Sequence, residues 1–438
     1  MAKRVRGKKI KTPSRKKGVT KRAVLRKTSS GLAHLLSPVL AEITPQKSTI
    51  KDVEEMIATI RKLLKKARIP ARVATGGSYA KGTFLKEDHD VDLFVIFPSA
   101  YAPRPISDLL EKALRALKPE RIHGSRDYFW VRTTYNFEII PVLQIRKGTM
   151  AANVTDYSPL HVTWVLTNGK KFLADIRLAK KFCKTAGVYG AESYIGGFSG
   201  HVLDILVIYY SGFLPFLHAA SRWTSGIVID PEKHYSTGMA LLTLNKSKLQ
   251  SPIIVIDPVQ PDRNAAAALG ERAFTKLKQI ADQFLRAPTA DFFAEKIFDI
   301  SSLKKRGAIV VRAKPFEGKQ DVVGAKMIAV FDSLCQTLEP FGILETDWQW
   351  TPGSDAMWYI VPRVSALPET YEHPGPPIDK VAYADHFRRK YPGSFVKKGR
   401  LFVVLKRTRT EINARETVKD MLVKPFISDK VKEITLVD

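Results

Sequence analysis

Asp90 and Asp92 stand two positions apart in KEDHDVDLFVIF, whose polar–apolar alternation reads as a β-strand. Strand side chains alternate faces, so both carboxylates project from one face and Val91, Leu93, Val95 and Phe97 from the other. Just upstream, Gly76-Gly77-Ser78 reads as a turn that offers backbone N–H groups and a hydroxyl. Paired carboxylates beside such a turn suit a divalent metal and nucleotide phosphates, which makes phosphoryl or nucleotidyl transfer the leading chemistry. A third carboxylate, Glu138, falls in YFWVRTTYNFEII at residues 128–140. Read as one long strand, this segment puts Phe129, Val131, Tyr135, Phe137 and Ile139 on one face, and Arg132, Thr134, Asn136 and Glu138 on the other. The apolar face belongs on a core, so Glu138 joins the aspartates on the polar side. Two Mg²⁺ ions about 3.5–4 Å apart need such clustered carboxylates rather than histidines. An Asp-x-Asp alone is as well explained as a solvated pair; the third carboxylate and the apolar backs of both strands favour the metal. No GxxxxGK[ST] occurs, which excludes a P-loop enzyme.

The elements that must position these residues follow from periodicity. Val53, Ile57, Ile60, Leu64 and Ala67 keep helical spacing from Ser48, with Pro70 just beyond. A short strand at Ala71–Thr75 leads into the Gly turn, and a helix is expected around Ser107–Leu117. These pieces make a compact α/β head. Helical patterns follow at Lys170–Thr185, Gly200–Tyr210 and Asn264–Leu285, with a strand at Ile253–Pro258. From residue 286 onward, strands (Ala308–Ala313, Met357–Pro362, Leu401–Leu405) alternate with helices (Val323–Leu338, Asp379–Lys390). The expected domains are a basic disordered extension (1–30), the head (31–150), a mainly helical central domain (151–287) and an α+β body and tail (288–438). The fold class is thus α/β and α+β, multidomain.

A net charge of +28 on 438 residues calls for a polyanionic partner, most simply nucleic acid. Residues 1–27 hold 13 Lys and Arg and no acid, which leaves +15 on the rest, so the body is basic in its own right. The arm reads equally as a phosphate-contacting RNA arm or a solubilising tail. Cys183 and Cys335, both in helical apolar patterns, are expected to be buried thiols of a reducing compartment. No run is long enough for a transmembrane helix and the N-terminus has no apolar h-region, so a cytoplasmic protein with no membrane association is expected.

Six segments in order carry a family resemblance: GGSYAKGTFLKEDHDVDLFVIFP, FEIIP (137–141), DYSPLH (156–161), RLAKKFCKTAGVYGAE (177–192), GGFSGHVLDILVIYY (196–210) and DPVQPDRNAAAA (257–268). From about Ser48 onward the chain resembles the archaeal (class I) CCA-adding tRNA nucleotidyltransferases of the polymerase-β superfamily. The resemblance implies a polymerase-β-like head, a mixed sheet with helices on one face. It implies template-independent addition of C, C and A to the tRNA 3′ end, from CTP and ATP, with two Mg²⁺ ions. Asp90, Asp92 and Glu138 fall on its catalytic, metal-binding carboxylates. Gly77, Ser78, Lys81, Ser158, His161, Lys180, Tyr189 and Arg263 become the nucleotide-binding candidates, with Arg263 in the recognition pocket beside the Asp257-Pro258 turn. From the residues alone, Lys180 lies about 40° from Ile176 on its helix, which favours a partly enclosed lysine, with a snorkelling surface lysine as the alternative. Tyr189 alone is a packing tyrosine, Arg263 a loop arginine, and His161 a helix-start or pocket-ordering residue.

The chain departs from the family at Glu138, where Asp is usual, and at Tyr157, where Arg is more usual. The basic arm has no counterpart in the family, and the C-terminal region looks shorter. The partners implied are tRNA, CTP and ATP, with a homodimer left open. The alternatives are an ATP-specific poly(A) or oligoadenylate-type transferase, or a catalytically inactive RNA-binding protein on the same scaffold. Lys304-Lys305-Arg306, Arg388-Arg389-Lys390 and Lys397-Lys398 are the distal basic patches, and Trp358 is assigned to core.

Overall fold

The computed structural model describes residues 19–45, 48–146, 148–295 and 297–437. Helix α1 (Val19–Ile43) sets Leu32, Leu35, Leu36, Val39, Leu40 and Ile43 against a large helical core. Residues 1–18 of the expected disordered extension lie outside the described residues. The remainder of that extension, 19–30, falls within the bounds of α1. Helix α2 (Ser48–Lys66) follows, then β1 (Arg72–Thr75), the one-turn α3 (Gly77–Lys81), β2 (Asp90–Phe97) and α4 (Ile106–Leu114). Strands β3 (Glu120–Ile122), β4 (Tyr128–Arg132) and β5 (Asn136–Leu143) complete a mixed five-stranded sheet of order β1-β2-β5-β4-β3. Only β2 and β5 run parallel among these pairs. Val91, Leu93, Val95 and Phe97 pack with Phe129, Val131, Phe137 and Ile139 against Val53, Ile60 and Leu64 of α2 and Leu110 and Leu114 of α4. The opposite face of β2 carries Asp90 and Asp92.

The segment expected as one strand at 128–140 is instead a hairpin, β4 and β5. Thr133 closes it: its N–H donates to Tyr135 O at 2.9 Å, and its hydroxyl accepts from Tyr135 N–H at 3.2 Å. A hydroxyl thus replaces the glycine or asparagine that would have announced the turn. The connection flips the chain direction without disturbing the face assignment, so Phe129, Val131, Phe137 and Ile139 remain together in the core.

Helices α5 (Ser158–Gly169), α6 (Leu173–Thr185), α7 (Gly200–Tyr209), α8 (Phe213–Ala220) and α10 (Glu271–Arg286) form the helical part, with α9 (Met239–Thr243) and a parallel pair, β6 (Ile227–Ile229) and β7 (Ile253–Val255). Phe182, Phe213, Phe284 and Phe293 meet at its centre with ring centroids 5.5–6.0 Å apart. The helix expected from Asn264 begins only at Glu271. Asn264 is buried and accepts from Val255 and Ala266 N–H while donating to Lys248 O and Ser251 Oγ, so its amide fixes a turn instead.

Residues 1–191 and 195–295 form one unit; 192–194 and 296–438 form a second. The second unit contains α11 (Ile300–Lys305) and an antiparallel sheet, β8 (Ile309–Pro315), β9 (Ile343–Gln349), β10 (Ala356–Pro362) and β14 (Val431–Leu436). This sheet is packed by α12 (Gln320–Leu338), the short α14 (Arg409–Ile412) leading to α15 (Ala414–Leu422). Strands β11 (Thr370–Pro377), β12 (Phe395–Lys397) and β13 (Arg400–Lys406) carry α13 (Val381–Lys390) on a small core of their own. Trp358 is fully buried. Cys183 is buried, whereas Cys335 is half-exposed, at the margin of the core it packs against, beside Thr346 of β9. No single helix among the described residues is long and apolar enough to cross a membrane.

Candidate active site

The sheet register sets three carboxylates side by side. Asp92 lies directly opposite Glu138 across the parallel β2–β5 pair, and Asp90 lies opposite Asn136. Asn136 Nδ2 donates to Asp90 Oδ1 at 2.9 Å. On the far side of Glu138, Trp130 is its cross-strand partner in β4, and the indole Nε1–H donates to Glu138 Oε1 at 3.0 Å.

The Gly-Gly turn is the start of α3, and both glycines are obligatory. A Cβ on Gly77 would stand 1.6 Å from Asp92 Oδ2, and Gly77 holds φ +51°; a Cβ on Gly76 would strike the Phe94 ring at 2.6 Å. Gly76 N–H also donates to Asp92 O at 2.8 Å, which locks the turn onto the strand. Burial, partly offset by Lys81 and reinforced by Asp90, raises the Asp92 carboxyl above its ordinary range. Burial and then the Asp92 charge push Glu138 up to about 7. Carboxylates held together at this cost are the donor set that hard divalent cations complete.

Asp92 and Gly77 line a cavity of about 290 Å³ with Lys81, Phe94, Ile140, Thr155, Ser158, His161, His201 and Arg263. The expected residues Gly77, Lys81, Ser158, His161 and Arg263 therefore converge on one space beside the carboxylates. Ser78 is half-buried next to Gly77. Ser158 begins α5 and is placed by its neighbour Asp156, which is wholly buried, paired with Arg126, and accepts from Leu143, Ala152 and Asn153 N–H. Tyr157, in the position of departure, ties its hydroxyl to Gly148 O at 2.9 Å.

Lys180 and Tyr189 do not line this cavity. Lys180 is 2% exposed, more fully enclosed than the partly enclosed lysine its helical angle favours, with Nζ 2.9 Å from Thr83 Oγ1 and 3.5 Å from Asp204. Asp204 also binds Lys81 Nζ at 2.8 Å, so one buried acid couples the cavity lysine to the one behind it. Burial alone would raise Asp204, but Lys180 and Lys81 outweigh it and hold the carboxyl below its ordinary range. Burial pushes the Lys180 ammonium down, with Asp204 opposing. Both Lys180 Nζ and the Tyr189 hydroxyl border Gly200, where a Cβ would stand 3.6 and 2.9 Å from them.

At the other end, Asp257 accepts from His161 Nε2 at 2.9 Å, from Val259 and Gln260 N–H, and from Arg263 Nη1 at 3.2 Å. Burial works to raise the Asp257 carboxyl, but the two histidines outweigh it and hold it well below the usual range. A carboxylate that stays charged requires the proton on His161 Nε2, so His161 orders the pocket and Asp257 anchors Arg263. The His201 ring lies 4.2 Å from that of His161, tilted 49° to it, and burial pushes His201 down to about 4, hence neutral at pH 7. Sequence reasoning missed Asp204, His201, Asn136 and Trp130. An acid within the otherwise apolar HVLDILVIYY was the available signal for Asp204.

Two family models match: the nucleotidyltransferase domain over residues 57–143, and the second domain of tRNA nucleotidyltransferase over 174–294. The CCA-adding enzyme of Nanoarchaeum equitans is 33% identical over 380 residues, covering 85% of this chain and 93% of that one. The CCA-adding enzyme of Pyrobaculum aerophilum is 30% identical and covers 88% and 92%. Among solved structures, the RNA terminal uridylyl transferase Cid1 superposes with a TM-score of 0.50 at 14% identity, covering 61% of this chain and 99% of that one, a likeness of fold.

Proposed function

This chain belongs to the family of CCA-adding enzymes, and from that premise we propose how its own residues add C, C and A to a tRNA 3′ end. The observation that carries the reading is the row Asp90, Asp92 and Glu138 on one sheet face, beside a cavity lined by Lys81, Ser158 and Arg263. Asp90, Asp92 and Glu138 would hold two Mg²⁺ ions. Bound there, these ions would neutralise triphosphate charge and activate the terminal 3′-hydroxyl for attack on the α-phosphate of CTP or ATP, with release of pyrophosphate.

The protein's own part is positioning. Gly77 and Ser78 present the start of α3 to the phosphates, and the glycine lets the backbone approach beside Asp92. Lys81 faces the triphosphate directly. Lys180 acts from behind it through the Asp204 cluster, which formally sets two lysines against one acid, and Tyr189 borders Gly200 beside Lys180. Arg263, anchored by Asp257 and His161, reads the nucleotide with Ser158 at its side. The second unit, with exposed Arg388, Arg389, Lys390, Lys397 and Lys398, supplies phosphate contacts to tRNA that read shape rather than sequence. We place the protein in the cytoplasm with its tRNA.

The test is incorporation of labelled CTP and ATP into tRNA lacking CCA, with Mg²⁺. Two C and one A support the reading, tailing with ATP alone supports a poly(A)-type enzyme, and no incorporation supports an RNA binder. Asp92→Ala should abolish incorporation with tRNA affinity nearly intact; collapse of both would remove the metal-site role.

A further inference from the structure

We propose that Trp130 is a positioning residue that aims the Glu138 carboxylate at the metal site, a role that rests on the reading of Glu138 as a ligand. Glutamate has one more rotatable bond than aspartate, so a half-buried Glu138 must be steered before it can share an ion with Asp92. The register supplies the means. Trp130, Glu138 and Asp92 occupy one row across three adjacent strands, all on the same face. The indole N–H donates to Oε1 at 3.0 Å. Indole is a donor only, so it fixes that oxygen without competing as a ligand, and Oε2 is left for an ion.

The indole is itself held. Arg132 lies over its ring at 4.8 Å and is paired with Glu120 at 3.2 Å, and Tyr128 meets it edge-on at 6.4 Å. Residues 128, 130 and 132 are alternate positions of β4, so the strand presents all three on this face. Asp90 receives an equivalent donor from Asn136. Asp90 and Glu138, the two carboxylates next to Asp92, are thus each gripped by an N–H from the neighbouring strand. A tryptophan that merely packed would not need its one polar atom on a carboxylate beside Asp92. Partners of this kind typically tune metal affinity about 10–100-fold.

The experiment titrates the full chain with Mn²⁺ alone, following free Mn²⁺ by electron paramagnetic resonance, with melting temperatures in parallel. Trp130→Phe keeps a ring for Arg132 and removes the N–H; it should weaken Mn²⁺ about 10-fold. It should also raise the Mg²⁺ needed for half-maximal incorporation, with tRNA binding unchanged. In a Glu138→Asp background, whose shorter carboxylate is not gripped by the indole, adding Trp130→Phe should change Mn²⁺ affinity less than about twofold. Equal losses in both backgrounds, or a lowered melting temperature with parental Mn²⁺ affinity, overturn the positioning role. Glu138→Ala is the control for the underlying reading. If it binds Mn²⁺ as the parent does, Glu138 is not a ligand; if it binds weakly while Trp130→Phe binds normally, only the role of Trp130 fails.

Discussion

Replacing Asp204 with Asn removes one charge from a buried cluster and keeps its shape. Asp204 is 1% exposed in its side chain, with Lys81 Nζ at 2.8 Å and Lys180 Nζ at 3.5 Å, themselves 8% and 2% exposed. At an effective dielectric of about 20, the two attractions are about 6 and about 5 kcal/mol gross, most of it offset by desolvation of all three charges. Taking away one partner of a buried pair costs about 3–5 kcal/mol, and here two ammonium groups are stranded at once. A loss of about 4 kcal/mol corresponds to a melting temperature lower by roughly 10 °C. The pH dependence gives a second reading. Burial already lowers the Lys180 ammonium below its ordinary value, and without Asp204 nothing opposes that fall as strongly. A lysine depressed in the folded state costs stability below its ordinary pKa, and the cost shrinks as pH rises toward that value. The deficit of Asp204→Asn, measured by thermal melting at matched ionic strength, should therefore narrow between pH 7 and about pH 9.5. A drop smaller than about 2 °C, or a deficit flat with pH, would refute the claim that this acid compensates two buried cations.

Gly77→Ala should reduce incorporation by about 100-fold while circular dichroism stays that of the parent, since its Cβ would displace Asp92 Oδ2 and the backbone sits at φ +51°. Parental activity would mean that Asp92 need not sit where the structure places it. For Mg²⁺, the sign follows from Glu138, raised to about 7 in the metal-free protein. A carboxyl raised in the folded state favours folding at low pH, and that contribution is lost as pH rises from about 4.5 to about 7. The rise in melting temperature on adding Mg²⁺ should accordingly be small at pH 5.5 and grow through pH 7.5; an increment independent of pH would sink the explanation.

Much of the site was legible because two periods are simple. Strand alternation places Asp90 and Asp92 opposite Val91 and Leu93, and it placed Glu138 on the correct face even though one strand was in fact a hairpin. That turn escaped notice because Thr133 closes it with a hydroxyl, a residue that also favours strands. Helical angle favoured a partly enclosed Lys180, and the structure buries it fully. The pairing of the cavity lysine with the same acid was out of reach of any local rule, since Lys81 and Asp204 are 123 positions apart and meet only in the tertiary fold. The start of α10 was missed for a related reason: an asparagine usually read as a cap spends its amide on β7 and Ser251 instead. Residue types announced the chemistry, whereas the clamps on it (Trp130, Asn136, Asp204) belong to tertiary pairing.

The parallel pairing of β2 with β5 has a temporal consequence. Parallel neighbours cannot be joined by a tight turn, and here α4, β3 and β4 intervene, so Asp90 and Asn136 meet across 46 positions. Closing such a loop costs entropy before any contact rewards it, and non-local pairings of this kind are slow to form. A chain emerging from the ribosome as far as β2 holds two aspartates with no third carboxylate and no clamp. The complete carboxylate row therefore arrives only with a long-range closure, so a half-made head lacks the assembled site.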